Sequence, residues 1–198
     1  MLCMDLQLNF KKLDNGNYQM ENYRATLHAA LQKGKPRQHT FDTRDSEIIN
    51  TDKAYNLLSG RAVQQADSNA WKQLDFNDKD AAGNFRIRHF NENYGYNLER
   101  ALAGLHVKDE QRFGLSDKLR DGEKVIATLV ISGKEHAVSL AADPIKKDVA
   151  IYDANGQKVV LEQIKENNKV QRPTSNVKRL QPKQIEKQSS NNKRSLKL

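Results

Sequence analysis

The sequence predicts an α+β fold of antiparallel β-hairpins and a C-terminal β-meander with two or three short helices. Apolar and polar residues alternate in several short runs, which is the period of half-buried strands. The turns between these runs are too short for the crossovers that parallel strands require. With 198 residues, the chain has room for one domain and an appendage.

We predict a single α+β domain over residues 1–163 and a basic, disordered tail over residues 164–198. A division of the domain into two similar halves, at about residues 1–65 and 66–163, is left open as an alternative. The tail lacks hydrophobic periodicity, is rich in polar and basic residues, and contains Pro173 and Pro182. Segments of this composition bury too little apolar surface to fold when free.

The first elements are predicted to be a hairpin and a further strand. Leu6, Leu8 and Phe10 alternate with polar residues, as in a half-buried strand. Residues 14–17 (DNGN) tolerate the positive φ of a hairpin turn. The later predicted elements are the returning strand or strands at 18–31, a turn at 33–36 and a strand at 38–43.

Three helices follow from helical spacing and from end signals. The first covers residues 52–63, with Thr51 as its N-cap and an apolar face that includes Leu57. The second covers residues 96–105, whose leucines and alanine recur at i, i+3, i+4 and i+7. The third covers residues 116–120 and is stopped by Asp121 and Gly122.

The remaining segments are predicted to be strands. A second hairpin pairs residues 70–76 with residues 85–90 across the polar loop 77–84. The strands of the C-terminal meander are predicted at 124–132, at 135–142, at 148–153 and near Val159.

The second strand of the middle hairpin is a candidate nucleic-acid site. Arg86 and Arg88 share one strand face, whereas Phe85, Ile87 and His89 share the other. Two arginines on one face are suited to binding phosphates. In the alternative, both arginines are solvated or pair with carboxylates across the hairpin, at Asp75, Asp78 or Asp80.

Three aromatic residues near this hairpin are candidates for stacking or for an interface. Tyr94 or Tyr96 could stack on an unpaired base, and Gly95 between them is predicted to permit a sharp turn. Trp71 is predicted to be a core residue or an interface anchor. The alternative for all three is packing in the core.

The basic tail is the stronger candidate for binding nucleic acid. Residues 164–198 contain 10 Lys and Arg but only Glu166 and Glu186, so they carry the whole net charge of +8. Such a segment binds phosphates by counterion release, with little sequence preference. The predicted phosphate contacts there are Lys178, Arg179, Lys183, Lys193 and Arg194. The alternative is a solubilising extension.

No catalytic site, metal or cofactor is predicted. A calcium loop that starts at Asp78 would have ligands at Asp80 and a glycine at Gly83, but Ala82 and His89 occupy two ligand positions. A polar hairpin loop is therefore favoured. The five histidines show no helical zinc spacing, and no nucleophile elbow or phosphate-binding glycine loop occurs.

A cytoplasmic protein is predicted, with no membrane association. The apolar run at residues 125–131 is far shorter than a membrane span, and the N-terminus lacks the features of a secretory signal. The single cysteine, Cys3, fits a reducing compartment.

From about Leu8 to Lys158 the sequence resembles an uncharacterised domain family of gut Bacteroidetes. The segments that carry the resemblance are 12–18 (KLDNGNY), 26–31 (TLHAAL), 54–63 (AYNLLSGRAV), 70–76 (AWKQLDF), 90–98 (FNENYGYNL) and 149–153 (VAIYD). Members of that family occur in conjugative and other mobile elements, some fused to type IA topoisomerase-like regions. The resemblance implies a bacterial cytoplasm and association with DNA-processing machinery, but it supplies no catalytic residues.

These observations together predict a non-enzymatic accessory module of a mobile genetic element. In this interpretation the tail binds DNA without sequence preference, and the α+β body docks a protein partner such as a topoisomerase or relaxase. The alternative is a protein–protein interaction module that recruits or inhibits a host factor and does not bind nucleic acid.

Overall fold

The structure, a computed structural model, describes residues 3–28, 35–43 and 50–161. In these ranges the chain forms ten strands in three antiparallel sheets, three α-helices and three single turns of 3-10 helix. The predicted α+β class, with its hairpins and C-terminal meander, is confirmed. None of the helices in the described ranges is long and apolar enough to cross a membrane.

The first sheet contains three strands, β1 (Cys3–Lys12), β2 (Tyr18–His28) and β3 (Arg37–Asp42), in that order. One face of β2 and β3 is buried beneath α1 (Thr51–Leu58). The predicted hairpin and third strand are confirmed. The prediction placed strand residues at 29–31 and part of a turn at 33–34, and both lie outside the described residues.

Helix α1 is shorter than the sequence predicted. Its N-cap is Asn50 rather than Thr51, because the Asn50 side chain accepts a hydrogen bond from the Lys53 backbone N–H at 2.8 Å. The helix ends at Leu58, since Gly60 takes a left-handed conformation (φ 88°). The predicted extension to residue 63 is wrong, because Val63 already belongs to the next strand.

The second sheet contains β4 (Val63–Gln64), β5 (Trp71–Lys79) and β6 (Phe85–Phe90), and β5 lies in the centre. The predicted hairpin is confirmed, although β5 extends three residues further than expected. A register shift between Asp75 and Lys79 makes this possible, because it adds unpaired residues on the β5 side of the ladder.

Two helices and the third sheet complete the fold. Helix α2 (Leu98–Ala103) is shorter than predicted because Asn97 caps its start, where its side chain accepts the Arg100 N–H at 2.8 Å, and Gly104 follows its end. Helix α3 (Leu115–Arg120) lies where predicted. The third sheet has the strands β7 (Val125–Ile131), β8 (Lys134–Asp143), β9 (Asp148–Tyr152) and β10 (Lys158–Val159). Their spatial order is β10-β9-β8-β7.

Three hairpin turns, one in each sheet, share the same geometry. In each, the first residue donates its N–H to the carbonyl of the fifth residue, and the glycine at the fourth position donates to the carbonyl of the first. The glycines have φ of 84°, 84° and 77°, as in a type I turn followed by a left-handed residue. The turns span residues 13–17, 80–84 and 153–157.

Buried apolar residues in the described ranges form two clusters. The N-terminal core packs the first sheet against α1 and includes Leu57 and Leu58, whereas the C-terminal core packs the third sheet against α2 and α3. The β5–β6 hairpin contributes to both. Its cross-strand pair Trp71 and Phe90 belongs to the C-terminal core, while Leu74 belongs to the N-terminal core.

A small network of hydrogen bonds connects α1 and the residues after it with the segment that follows α3. Asn56 donates a hydrogen bond to the Asp121 carbonyl at 2.6 Å, and the Arg61 Nε donates to the Gly122 carbonyl at 2.7 Å. The Arg61 guanidinium also donates to the Asn56 side-chain oxygen. These bonds give Arg61 a structural role.

Candidate nucleic-acid interface

Arg86 and Arg88 lie on the same face of β6, and both are exposed. Phe85 is buried and Ile87 half-buried on the opposite face, as predicted. His89 lies on the same face of the strand but is exposed. The reason is that the N-terminal core reaches β6 only as far as Ile87.

Both arginines are paired with carboxylates of β5. Arg88 donates to Asp75 Oδ2 from Nε at 2.8 Å and from Nη2 at 2.5 Å. Arg86 donates from Nε to Asp78 Oδ1 at 3.2 Å. The hydrogen bond from Arg88 holds the pKa of Asp75 below its usual range, with a further contribution from the Asn77 N–H. The alternative drawn from the sequence, in which both arginines pair with carboxylates across the hairpin, is therefore the arrangement observed.

The two ion pairs differ in how easily a phosphate would replace the carboxylate. Arg88 makes two bonds to Asp75, whose side chain is only 16% exposed. Arg86 makes one longer bond to Asp78, and both side chains are more than half exposed. Exposed pairs of this kind contribute roughly 0–1 kcal/mol. Arg86 is therefore the more available cation of the two.

The three aromatic candidates pack in or against the C-terminal core. Trp71 is 3% exposed, and its ring centroid lies 5.2 Å from that of Tyr96. Tyr94 packs on Phe90 at 5.0 Å, and the Lys147 ammonium lies 4.6 Å from the centre of its ring. Stacking on a base would require these contacts to break, so the packing alternative fits the geometry better.

The loop tested as a calcium site is a self-contained hairpin turn. Asp80 Oδ1 accepts the N–H groups of Ala82 at 3.0 Å and Asn84 at 2.9 Å, and the bond from Asn84 is the main cause of the lowered pKa of Asp80. Asp78 is held by Arg86. Across residues 3–28, 35–43 and 50–161, no group of three or more His, Cys, Asp or Glu side chains is arranged to hold a metal ion.

The basic tail lies outside the described residues, and so do its five predicted phosphate contacts, Lys178, Arg179, Lys183, Lys193 and Arg194. The structure therefore brings only Arg86 and Arg88 together among the predicted phosphate contacts. Residues 1–163 contain equal numbers of basic and acidic side chains. The charges of the two hairpin arginines are balanced by neighbouring carboxylates, because Arg86 pairs with Asp78 and Arg88 pairs with Asp75.

One surface feature was missed by the sequence reasoning. Leu6, Leu8 and Phe10 were predicted to lie in a half-buried strand, but their side chains are 41%, 51% and 57% exposed. The alternation correctly placed them on one face of β1. It carried no information on whether another element covers that face, and α1 lies over β2 and β3 instead.

Comparison of the chain with protein-family models, with curated proteins and with solved structures found no match. The resemblance to the Bacteroidetes family, and the partners that it implies, stay predictions.

Proposed function

We propose that this chain is a non-enzymatic accessory module that binds nucleic acid, without sequence preference, through its basic segment 164–198. The observation that carries the proposal is the distribution of charge. Residues 164–198 have a net charge of +8, and residues 1–163 are formally neutral. The ion pairs at Arg86 and Arg88 further reduce the positive charge with which residues 1–163 could bind a phosphate backbone.

The expected mode of binding is electrostatic. A segment that makes 6–10 phosphate contacts loses roughly 10³–10⁵ in affinity between 50 and 200 mM salt, because condensed counterions are released on binding. The tail has 10 basic residues and no aromatic side chain, so stacking on bases contributes nothing there. The cytoplasm of a bacterium that carries a mobile element is the setting that the resemblance suggests, with a topoisomerase or relaxase as the partner docked by the body.

The test compares full-length variants in binding to labelled duplex and single-stranded DNA across a salt series. One variant neutralises five basic residues, Lys178, Arg179, Lys183, Lys193 and Arg194, by substitution with Gln. Its matched control changes five uncharged residues of the same segment, Gln181, Gln184, Gln188, Asn191 and Asn192, to Ser. We expect the neutralised variant to lose at least ~10-fold in affinity and its salt slope on duplex DNA to fall by about 4.5, at roughly 0.9 per lost contact.

Unchanged affinity and salt slope in the neutralised variant would contradict the proposal. Binding that persists but is lost with Arg86→Gln would instead place the site on β6. A chain ending at Gln163 gives a second comparison, in which loss of binding supports the tail as the site.

A second candidate function is a protein-interaction module that does not bind nucleic acid. The observation in its favour is Phe113, whose side chain is 97% exposed in the loop before α3. Beside this loop lies a groove of about 200 Å³, lined by Leu102, Leu105 and Leu115 among others. The absence of DNA binding by the full chain at low salt would favour this candidate over the first. Loss of binding to a host protein partner in Phe113→Ser would then locate the docking surface of this second candidate.

A further inference from the structure

Strand β1 forms one edge of the first sheet. It is ten residues long and pairs with β2 along its whole length. Within the described residues no strand pairs with its other side. A long edge strand leaves a row of unpaired N–H and C=O groups, which is a template for pairing with another strand. No proline interrupts β1, and the extra residue at its one register shift lies on β2.

The edge strand also carries an exposed apolar stripe. Leu6, Leu8 and Phe10 are 41%, 51% and 57% exposed, and Tyr18, at the start of β2 on the same face, is 68% exposed. Helix α1 packs on β2 and β3 and leaves this part of the sheet uncovered. Contiguous apolar surface of this kind marks interaction sites on soluble domains.

The sequence of β1 is complementary to itself in one antiparallel register. With Leu8 opposite Leu8 of a second copy, Leu6 faces Phe10 and Asp5 faces Lys11. Opposed residues in an antiparallel pair point to the same face, so the apolar stripes of both copies coincide and opposite charges meet on the other face.

Other registers do not give this match. A shift by one residue sets apolar positions opposite polar ones, because the side-chain period of a strand is two. A shift by two residues in one direction sets Asp5 opposite Asn9, and in the other direction sets Lys11 opposite Gln7. Of these registers, only the one centred on Leu8 sets Asp5 opposite Lys11. Asp5 also contacts His28 of its own sheet at 2.9 Å, and Lys12 faces Met4 at the end of the paired segment.

We propose that β1 is the interface of a homodimer in which the β1 strands of two copies pair antiparallel around a two-fold axis at Leu8. The two three-stranded sheets then become one continuous six-stranded sheet. Such an interface is isologous, so the same strand supplies both halves and the assembly closes as a dimer. The second copy covers the apolar stripe, and it also supplies hydrogen-bond partners for the unpaired N–H and C=O groups of β1.

Disulfide trapping tests the register directly. In a Cys3→Ser background, which removes the exposed free cysteine, Leu8→Cys places two thiols opposite each other. Opposed Cα atoms lie about 4.5–5.5 Å apart, within the range of a disulfide. The matched control is Leu6→Cys, because in this register position 6 of one copy lies four residues, roughly 13 Å, from position 6 of the other. We expect mild oxidation to give a covalent dimer with Leu8→Cys and not with Leu6→Cys.

Sedimentation velocity tests the interface without a crosslink. We expect the full-length chain to have twice its 22.6 kDa mass, and Leu8→Lys to raise the dissociation constant at least ~10-fold, because it brings two like charges together at the axis. Lys11→Asp should weaken the dimer, and addition of Asp5→Lys should restore it. Ile126→Lys is the control, since it also places a lysine at an exposed apolar position of a strand, and we expect no change.

A full-length chain that stays monomeric at all concentrations would overturn the proposal. A dimer that Leu8→Lys does not weaken, or that crosslinks equally through Leu6→Cys, would place the interface elsewhere and would also overturn it. If Leu8→Lys does not fold, Lys11→Asp takes its place in the measurement of the dissociation constant, with its own folding checked by circular dichroism.

Discussion

Gly122 is a residue whose identity is fixed by both conformation and space. Its φ is 80°, and a Cβ atom there would lie 2.6 Å from the Val63 side chain and 2.8 Å from the Ala62 carbonyl oxygen. Val63 belongs to the N-terminal core and Ala62 to the C-terminal core, so the clash falls where the two meet. We expect Gly122→Ala to lower the free energy of unfolding by about 3 kcal/mol, measured by urea denaturation.

Gly83 provides the matched control for this prediction. Its φ is 84°, but a Cβ atom there meets nothing within 4 Å. Gly83→Ala therefore carries only the cost of a left-handed alanine, about 1–2 kcal/mol. Equal losses in the two variants would show that the packing against Val63 is not what fixes Gly122.

Individual residues also show how much of the candidate site could be predicted from the sequence. The alternation of β6 placed Arg86 and Arg88 on one face, and the aspartates named as their partners include the two that bind them. The same pattern could not decide between solvent and core for Tyr94 and Tyr96, because their ring contacts come from Trp71 of β5, Phe90 of β6 and Lys147. The sequence could not predict the hydrogen bonds from Asn56 and Arg61 to the segment after α3 for the same reason, since the bonded residues are 65 and 61 positions apart.

At the scale of elements, the start of α1 depends on one side chain. Asn50 Oδ1 accepts the Lys53 N–H at 2.8 Å, whereas Thr51 is the first residue of the helix. Loss of an N-cap costs about 1 kcal/mol. We expect Asn50→Ala to reduce the free energy of unfolding by about that amount and Thr51→Ala to change it by less than about 0.5 kcal/mol, in thermal or urea denaturation. The opposite order would restore Thr51 as the cap.

Element types were easier to predict than element ends. Periodicity identifies which residues share a face, so the helices and hairpins were found. It does not identify the N-cap, because Asn50 and the adjacent Thr51 are both good N-cap types. The end of α1 required the left-handed φ of Gly60, and a glycine inside a helical pattern is ambiguous in sequence. The exposure of β1 depended on where α1 packs, which periodicity does not encode.

At the scale of the whole molecule, the sequence separates a neutral body from a basic segment, and this separation carries the proposed function. The division into two similar halves stays a prediction. The two cores do not correspond to independent units in the packing, because Trp71 and Leu74 of one strand contribute to different cores. The β5–β6 hairpin therefore couples the stability of the first sheet to that of the third.

His39 links the stability of the whole molecule to pH. It is buried in β3, and its ring packs edge-on against Phe41 at 4.6 Å. Its Nδ1 atom has no hydrogen-bond partner among the residues that the structure describes. Burial lowers the pKa of His39 from 6.5 to about 4, and nearby Asp80 opposes this shift only in part. The unfolded chain therefore binds one more proton than the native state between these two pH values, so stability falls as the pH drops below 6.5.

We expect the wild-type chain to lose about 2–3 kcal/mol of unfolding free energy through this residue between pH 7.5 and 4.5. His39→Leu removes the titrating group and should flatten the curve over that interval, as measured by urea denaturation at a series of pH values. The lowered pKa values of Asp75 and Asp80 act at lower pH, because carboxylates stabilise the native state until the pH falls below their usual value of 3.8. The interval above pH 4.5 therefore lies above the range in which these two carboxylates act. Equal losses in the wild type and in His39→Leu would contradict the role of His39.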